Sequence, residues 1–256
     1  GTFSKNPNWT TDWSAYHTKP AHVVPSAANL RMLWVQPGSF TMGSPVTEAG
    51  REASKEQEHN VILTEGFYLG KSEVTQAQYE AVMTGNTNGL SATPSQWPNN
   101  PNRPVEKVTW ADVQVFLTRL NAQQAANLPA GWSYVLPTES QWEYACRAGT
   151  TTAYSWGNTI ASSNANYNWD GAYNTGNDFK QTRDVGQYAA NPWGFYDMHG
   201  NVWEWVCDWK ASYPGGAQTN PEGPASGSKR VFRGGSWSNA GTHLRSAERI
   251  DYIPPN

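Results

Sequence analysis

The sequence has few charged residues and no surplus of basic ones. Charged residues make up 15% of the 256, and 18 Lys and Arg stand against 21 Asp and Glu, for a formal net charge of −3. Because nothing in this balance would neutralise a phosphate backbone, we expect no nucleic acid partner. The chain also lacks any long apolar run of the length that a membrane-spanning helix needs, so we expect no membrane insertion.

Cysteine and histidine are scarce as well. Cys146 and Cys207 are the only cysteines, and a single pair is compatible with one disulfide or with two buried thiols. None of the five histidines has another four positions away, as in the His-x-x-x-His pattern that would place two ligands on one helix face. We therefore predict that each histidine, including His199, is exposed or makes a single hydrogen bond.

Aromatic residues are abundant, with 14 Trp and 12 Tyr, and this excludes a disordered chain. Residues 150–230 are dense in Gly, Asn, Trp and Tyr without clear periodicity. Irregular backbone of that length is usually functional or held by ions. Residues 1–28 are polar, and we predict that they form an extended N-terminal arm in front of a single domain of residues 29–256.

Three helices and several strands are predicted from local signals. Capping boxes begin helices at Thr75 and Thr138, and Thr109 precedes a third apolar run at helical spacing. The helix after Thr138 is expected to end at Gly149. The Pro-Gly pair at 37–38 favours a hairpin between the flanking apolar stretches. Further strands are predicted at 61–69, 230–233 and 244–249.

Seven phrases in one order carry a resemblance to a known family. They are Trp34-Val35-x-Pro37-Gly38-x-Phe40-x-Met42-Gly43, Glu73-Val74-Thr75, Pro104-Val105 with Val108-x-Trp110, Leu136-Pro137-Thr138-Glu139-x-x-Trp142-Glu143-Tyr144-Ala145, Gly194-x-Tyr196-Asp197-Met198-x-Gly200-Asn201-Val202-Trp203-Glu204-Trp205, Arg233-Gly234-Gly235-Ser236-Trp237, and Arg245-x-Ala247-x-Arg249. This series resembles the formylglycine-generating-enzyme, or sulfatase-modifying-factor, domain from about residue 30 onward.

The resemblance implies an α+β fold of the elaborated C-type-lectin-like kind, with little regular secondary structure. It also implies an extracytoplasmic location: periplasmic, cell-surface or secreted. Members of the family include copper oxidases, iron-dependent sulfoxide synthases, periplasmic maturation proteins and hypervariable binding proteins, so the fold does not determine the function. The family continues past the point where this sequence stops with a further strand, and we expect Asn256 to be an internal position of a longer chain.

The two copper-binding cysteines of the family's oxidases are replaced. They would stand three and eight positions after Ser236, where this chain has Asn239 and Leu244. Soft thiolates hold Cu(I), whereas amide and alkyl groups do not, so we expect no copper and no thiol oxidase activity. The lack of a histidine pair likewise predicts no iron. Cys146 and Cys207 fall where relatives often carry structural cysteines and are expected to be buried and inert.

The resemblance also implies a calcium loop. The Asp197 and Glu204 side chains and the Gly200 and Val202 carbonyls would supply the hard oxygen ligands that Ca²⁺ prefers. The alternative is a plain turn in which Asp197 caps local amides and Glu204 pairs with an arginine. A second family site would use Asn166, the Tyr167 carbonyl, Asn177 or Asp178, and the Phe179 carbonyl.

The C-terminal region is similar to the variable region of retroelement-diversified proteins. Trp237 is expected to anchor it in the core, and Arg245 and Arg249 are expected to be buried beside carboxylates or carbonyls. Between and after these anchors we predict a displayed ligand-binding surface over 238–253, formed by Ser238, Asn239, Ala240, Gly241, Thr242, His243, Glu248, Ile250, Asp251 and Tyr252. The alternative is an ordinary family C-terminus that binds nothing.

Two functions from different classes follow. The first is a non-catalytic module that recognises an unknown protein or glycan, which the aromatic composition and the absent cysteines favour. The second is a periplasmic maturation enzyme with a thiol-independent site. A cleft that contains a titratable group with a strongly shifted pKa would favour this second function.

Overall fold

Short strands and helices alternate with long irregular connections in this protein. The computed structural model describes residues 19–168 and 179–252. Within them the helices are α1 Gln76–Met83, α2 Trp110–Gln124 and α3 Glu139–Arg147, and the strands are β1 His22–Val24, β2 Leu30–Val35, β3 Gly38–Met42, β4 His59–Leu63, β5 Phe67–Gly70, β6 Glu204–Trp209, β7 Gln218–Thr219, β8 Arg230–Arg233 and β9 Ile250–Tyr252. None of the helices in this part of the chain is long and apolar enough to cross a membrane.

The strands form three small sheets, with the orders β1-β2-β5, β3-β4-β7 and β6-β8-β9. The pairs are antiparallel except β4 with β7, which is parallel. Because each sheet is too small to form a core by itself, the sheets pack with the helices around shared apolar clusters. The α+β class and the low content of regular structure agree with the resemblance.

All three helices begin where the sequence predicts. Thr75, Thr109 and Thr138 each accept a hydrogen bond from the backbone of the third helical residue, whose side chain returns a bond to the cap. Each cap therefore satisfies two backbone N–H groups that a helix start would leave unpaired. The predicted end of α3 is displaced by one residue, since Ala148 takes the left-handed conformation at φ 47°.

The predicted hairpin around residues 37–38 is wrong. β2 pairs with β1 and β5, whereas β3 pairs with β4, so the Pro-Gly step carries the chain from one sheet to another. Gly38 is needed for a different reason: the Tyr144 hydroxyl of α3 occupies the space that a side chain at this position would take. The glycine signal therefore marks a close helix contact rather than a hairpin turn.

Three other predicted boundaries change. Residues 61–69 are two strands, β4 and β5, separated by a turn that ends at Gly66 against Trp34. The predicted strand at 244–249 is wrong: Leu244 ends a 3-10 helix, residues 245–247 form a bend and a turn, and the next strand is β9. Residues 22–28 are not an arm: β1 joins the first sheet, and Val24 and Ala27 are in the core.

Two large apolar clusters build the core. One surrounds Trp142 of α3 and collects Val35, Val61, Val206 and Val231 from the three sheets. The other packs α1 and α2 against the first sheet. A third, smaller cluster contains Ala153, Tyr154, Ala165, Tyr167 and Leu244, and it supports the C-terminal region in which the candidate site lies.

Candidate functional site

One buried arginine anchors the C-terminal region. Arg245 donates to Glu48 and Glu56 at 2.7 Å and to Glu248 at 2.9 Å, and the exposed fraction of each of these side chains is 5% or less. We call these four residues the Arg245 network. Burial alone would raise the pKa of Glu56, but hydrogen bonds from Arg245 and Ser44 outweigh it and lower the pKa to about 2. The network therefore holds Glu56 in the charged form, whereas burial raises the pKa of Glu48 despite its contact with Arg245.

Arg249 and Arg233 form a second set of buried ion pairs. Arg249 contacts both oxygens of Glu139 at 2.7 and 2.5 Å, and Arg233 pairs with Glu143. These contacts and the Arg245 network confirm that Arg245 and Arg249 are buried against carboxylates. Both arginines reach into the domain from opposite ends of residues 245–249, which explains why this segment has no exposed face.

The predicted display surface is consequently split in two. Residues 238–243 are exposed or half-buried, residues 244–249 are buried, and residues 250–252 are half-buried or exposed, with Tyr252 at 56%. The expectation that Glu248 is displayed is wrong, because its side chain is 2% exposed and accepts hydrogen bonds from Arg245 and His243. The remaining predicted contact residues are Ser238, Asn239, Ala240, Gly241, Thr242, His243, Ile250, Asp251 and Tyr252.

The two positions of the missing thiols have structural roles. The Asn239 side-chain oxygen accepts a hydrogen bond from the Trp203 indole at 2.9 Å, and the Asn239 carbonyl accepts one from the Asn168 amide. Leu244 is fully buried in the third apolar cluster. An amide in a hydrogen-bond network and an enclosed alkyl chain supply no copper ligand of the family's kind.

Both cysteines are free thiols rather than a disulfide. Cys146 is buried, Cys207 is half-buried, and burial raises the pKa of each to about 12. Because the thiolate is the reactive form, neither group is suited to nucleophilic or redox chemistry at neutral pH. This agrees with the expectation that both are inert.

An aromatic band connects the two exposed parts of the C-terminal region. The Phe232 ring centroid lies 3.7 Å from that of Trp205, 6.4 Å from that of Trp203 and 6.0 Å from that of Tyr252. Trp203 also holds Asn239, so the band runs from 238–243 to β9. Sequence reasoning missed Phe232, Trp203 and Trp205 as surface residues, although strand alternation puts 205 and 232 on the outer face.

Trp237 differs from its prediction as a core anchor. It is half-buried and packs edge-on against Trp97, with ring centroids 5.4 Å apart. The neighbouring glycines are the tighter constraint, since a Cβ at Gly235 would lie 2.7 Å from the His243 carbonyl oxygen and Gly235 has φ +77°. The backbone of 234–235 thus packs directly under the 238–243 loop.

The predicted calcium loop is a tight turn. Asp197, Gly200 and Asn201 all have positive φ, and a Cβ at Gly200 would lie 2.5 Å from the Asn166 carbonyl oxygen. One Asp197 oxygen accepts from the Gly186 amide at 2.6 Å, as in the alternative of a capping carboxylate. Glu204, in contrast, has no arginine or lysine within 4 Å among the described residues.

A third carboxylate that sequence reasoning missed faces the same loop. Glu73 is 7% exposed and accepts from the Asn201 side chain at 2.7 Å and the Val202 amide at 2.9 Å. We call Glu73, Asp197 and Glu204 the loop carboxylates. Glu73 belongs to one of the seven phrases, but the sequence did not indicate that its carboxylate faces this loop.

Burial disfavours the charged forms of the loop carboxylates. Burial raises the pKa of Glu204 to about 8 and of Asp197 to about 6. Burial and the two neighbouring acids raise the pKa of Glu73 well above its usual value. Across residues 19–168 and 179–252, no three His, Cys, Asp or Glu side chains converge enough to hold a metal ion alone. An ion here would need carbonyls such as those of Gly200 and Val202.

The second predicted calcium site is only partly described. Asn177 and Asp178 lie outside the described residues. Asn166 is buried and donates to the Gln181 carbonyl and to the Asn201 side chain, so it adjoins the first loop. The Tyr167 ring belongs to the third apolar cluster, and the Phe179 ring lies 4.1 Å from the Arg183 guanidinium.

The prediction that His199 is exposed or makes a single hydrogen bond is wrong. It is 5% exposed; its Nδ1 lies 2.6 Å from the Leu244 carbonyl oxygen and its Nε2 lies 3.2 Å from the Ser155 amide nitrogen. Burial lowers its pKa to about 4. The neutral ring joins the loop to the C-terminal region, so it is a structural residue.

Comparison with known proteins agrees with this fold. Residues 19–254 match the model of the sulfatase-modifying factor enzyme 1-like domain. The formylglycine-generating enzyme of Mus musculus is 29% identical over 81% of this chain and 66% of its own length, and the Bos taurus enzyme matches over only 36% of its length. The chain thus spans less than two thirds of these relatives.

Two solved structures match nearly all of the chain. Treponema denticola variable protein 1 has a TM-score of 0.74 and 27% identity, and PvdO from Pseudomonas aeruginosa has a TM-score of 0.76 and 26% identity. Each match covers 93% of this chain and 95% of the other. With the family match over residues 19–254, these results show that the chain belongs to the sulfatase-modifying factor enzyme 1-like family.

Proposed function

We propose that this protein is a non-catalytic binding module that recognises a protein or glycan with residues 238–243 and 250–252. One observation carries the proposal: two exposed segments flank the buried stretch 244–249, and the aromatic band joins them into one surface. Buried ion pairs at Arg245 and Arg249 hold the backbone, so side chains on either side can change without unfolding the scaffold. The likeness to a variable protein supports the same function.

The chemistry of the surface suits recognition. Half-buried aromatic rings offer large, rigid contact areas, and the hydroxyl groups of Ser238 and Thr242 offer adaptable hydrogen bonds. Protein epitopes and sugar rings both present apolar faces beside polar groups, and we keep both as ligand classes. We also propose that the protein binds these ligands outside the cytoplasm.

We also propose a structural Ca²⁺ at the loop carboxylates. The support is three buried or half-buried carboxyl groups that no arginine or lysine of the described residues contacts within 4 Å, next to a turn with three left-handed positions. Ca²⁺ accepts carboxylates together with carbonyls and waters, as this loop could offer. Its role would be to neutralise the loop, which adjoins the C-terminal surface through His199.

A paired substitution tests the binding surface. We would apply the parent protein and two variants, Tyr252→Ala and Trp132→Ala, to a glycan array and to an array of extracellular proteins. Both variants remove an exposed aromatic side chain, but only Tyr252 belongs to the proposed surface, since Trp132 packs near Trp34 and Tyr68. We expect Tyr252→Ala alone to lose the parent's signals. Equal loss in both variants, or in neither, contradicts the proposal.

The enzymatic alternative has a separate test. A cysteine peptide that formylglycine-generating enzymes accept is incubated with the protein, copper and oxygen, and the aldehyde product is measured by mass spectrometry. We expect no aldehyde because positions 239 and 244 carry no thiol. Turnover above that of copper alone would overturn the non-catalytic assignment.

A further inference from the structure

A cleft lies away from the C-terminal surface. It has a volume of about 350 Å³, and its lining contains no residue of 238–243 or 250–252. The cleft opens between the start of α3, the end of β6 and the connection of residues 211–224. Its walls are largely apolar or aromatic, formed by Met42, His59, Trp209, Tyr213, Pro214, Pro221 and Pro224.

One carboxylate oxygen at this cleft has no hydrogen-bond partner in the part of the chain that the structure describes. Asp208 is 5% exposed, and its Oδ2 accepts from the Glu139 amide at 2.7 Å and lies 3.4 Å from the Cys207 sulfur. Its Oδ1 has no hydrogen bond within the described residues. Gly223 keeps this oxygen accessible, because a Cβ there would lie 3.1 Å from Oδ1.

No basic side chain of the lining neutralises Asp208. Arg249 donates to both oxygens of Glu139 and to the Ala211 carbonyl. Lys210, two positions after Asp208, donates to the Arg249 carbonyl at 3.4 Å. Burial raises the pKa of Asp208 to about 6, so the group is mainly ionised at neutral pH without an ion-pair partner. Glu222 adds a further negative charge at the exposed rim.

We propose that this cleft binds a primary ammonium group on an aliphatic stem, with Asp208 as its counter-ion. The single free oxygen selects the ligand: a guanidinium needs two parallel acceptors for its fork, and Oδ2 is already used by the Glu139 amide. A compact ammonium needs one strong acceptor, while its methylene stem packs along the proline and aromatic walls. A free diamine and a lysine side chain share this chemistry.

Titration calorimetry at pH 7.5 and low salt tests the proposal. The probes are 1,5-diaminopentane and Nα-acetyl-lysine N-methylamide, with 1-pentanol as the uncharged control. We expect both amines to bind with one-to-one stoichiometry and 1-pentanol to give no heat of binding. Tighter binding of the diamine would identify a free polyamine as the source, and tighter binding of the lysine amide would identify a peptide side chain.

Two variants and a control locate the binding. Asp208→Asn keeps an acceptor for the Glu139 amide but removes the charge, and we expect amine affinity to fall about tenfold or more. Ser212→Trp, at an exposed rim position, should block the cleft without touching the carboxylate. Glu65→Gln removes an exposed charge elsewhere and should leave affinity unchanged. The proposal is overturned if neither amine binds the parent, or if the amines bind Asp208→Asn and Ser212→Trp as tightly as the parent.

Discussion

The Arg245 network and the loop carboxylates differ in whether a cation contacts their carboxyl groups. Each contains three carboxylates, but only the first contains a cation, and its Arg245 contacts every one of them. In the network the pKa of Glu56 is lowered to about 2, whereas in the loop the pKa of Glu204 is raised to about 8. The comparison teaches that a directly contacting guanidinium can keep a buried carboxylate charged, whereas burial without such a cation favours the neutral acid.

The largest effect is expected from removing the network's cation. Arg245→Met leaves the carboxylates without a positive partner, and breaking such buried pairs costs about 3–5 kcal/mol of unfolding free energy. Urea denaturation measures the loss. Arg31→Met, which makes the same chemical change at an exposed position, should change stability by less than about 0.5 kcal/mol. Similar losses in both variants would show that the network is not an anchor.

Acid should weaken the network through Glu56. Its folded pKa of about 2 lies below the usual value of 4.5, so the charged form is favoured by folding. That contribution is complete above about pH 4.5 and is lost as the pH falls towards 2, and it amounts to about 3 kcal/mol. Unfolding free energies measured from pH 6 to 2.5 should show a shallower decline in Glu56→Gln than in the parent. The exposed Glu58→Gln should follow the parent, and identical slopes in all three would contradict the assignment.

Calcium should supply the positive charge that the loop carboxylates lack. At a free Ca²⁺ concentration of about a hundred times the dissociation constant, binding adds about 2.7 kcal/mol, or roughly 5–10 °C in melting temperature. Thermal melts with Ca²⁺ and with chelator check this, and Glu204→Gln should reduce the difference while Glu65→Gln should not. Identical parent melts in the two conditions would refute the calcium proposal.

The smallest effect is expected at the exposed part of the C-terminal region. Ser238 is exposed, and within the described residues its hydroxyl has a hydrogen bond only with the Ser236 hydroxyl, at 3.0 Å. Ser238→Ala should therefore change the unfolding free energy by less than about 0.5 kcal/mol. Guanidinium denaturation gives the value. A loss above about 2 kcal/mol would mean that 238–243 is packed into the domain and is not a display loop.

Local signals in the sequence predicted the helices well and the strand pairing badly. A capping box is complete within four residues, so Thr75 and Thr138 identified their helices without knowledge of the rest of the chain. Strand pairing depends on distant partners, and the Pro-Gly step at 37–38 proved to join two sheets. The stretch 244–249 was predicted as a strand and is not one. Its short sequence pattern does not show that its arginines are buried against carboxylates from other parts of the chain.

For the site, the family, the missing thiol positions and the burial of Arg245 and Arg249 were determined by the sequence. They depend only on which residue types stand at which spacing, and a buried guanidinium always needs acceptors. Tertiary structure alone decided which acceptors those are, because Glu48 and Glu56 lie 197 and 189 positions away from Arg245. It likewise decided that Glu73 joins the loop and that Asp208 keeps a free oxygen, since both outcomes depend on contacts between segments distant in the chain.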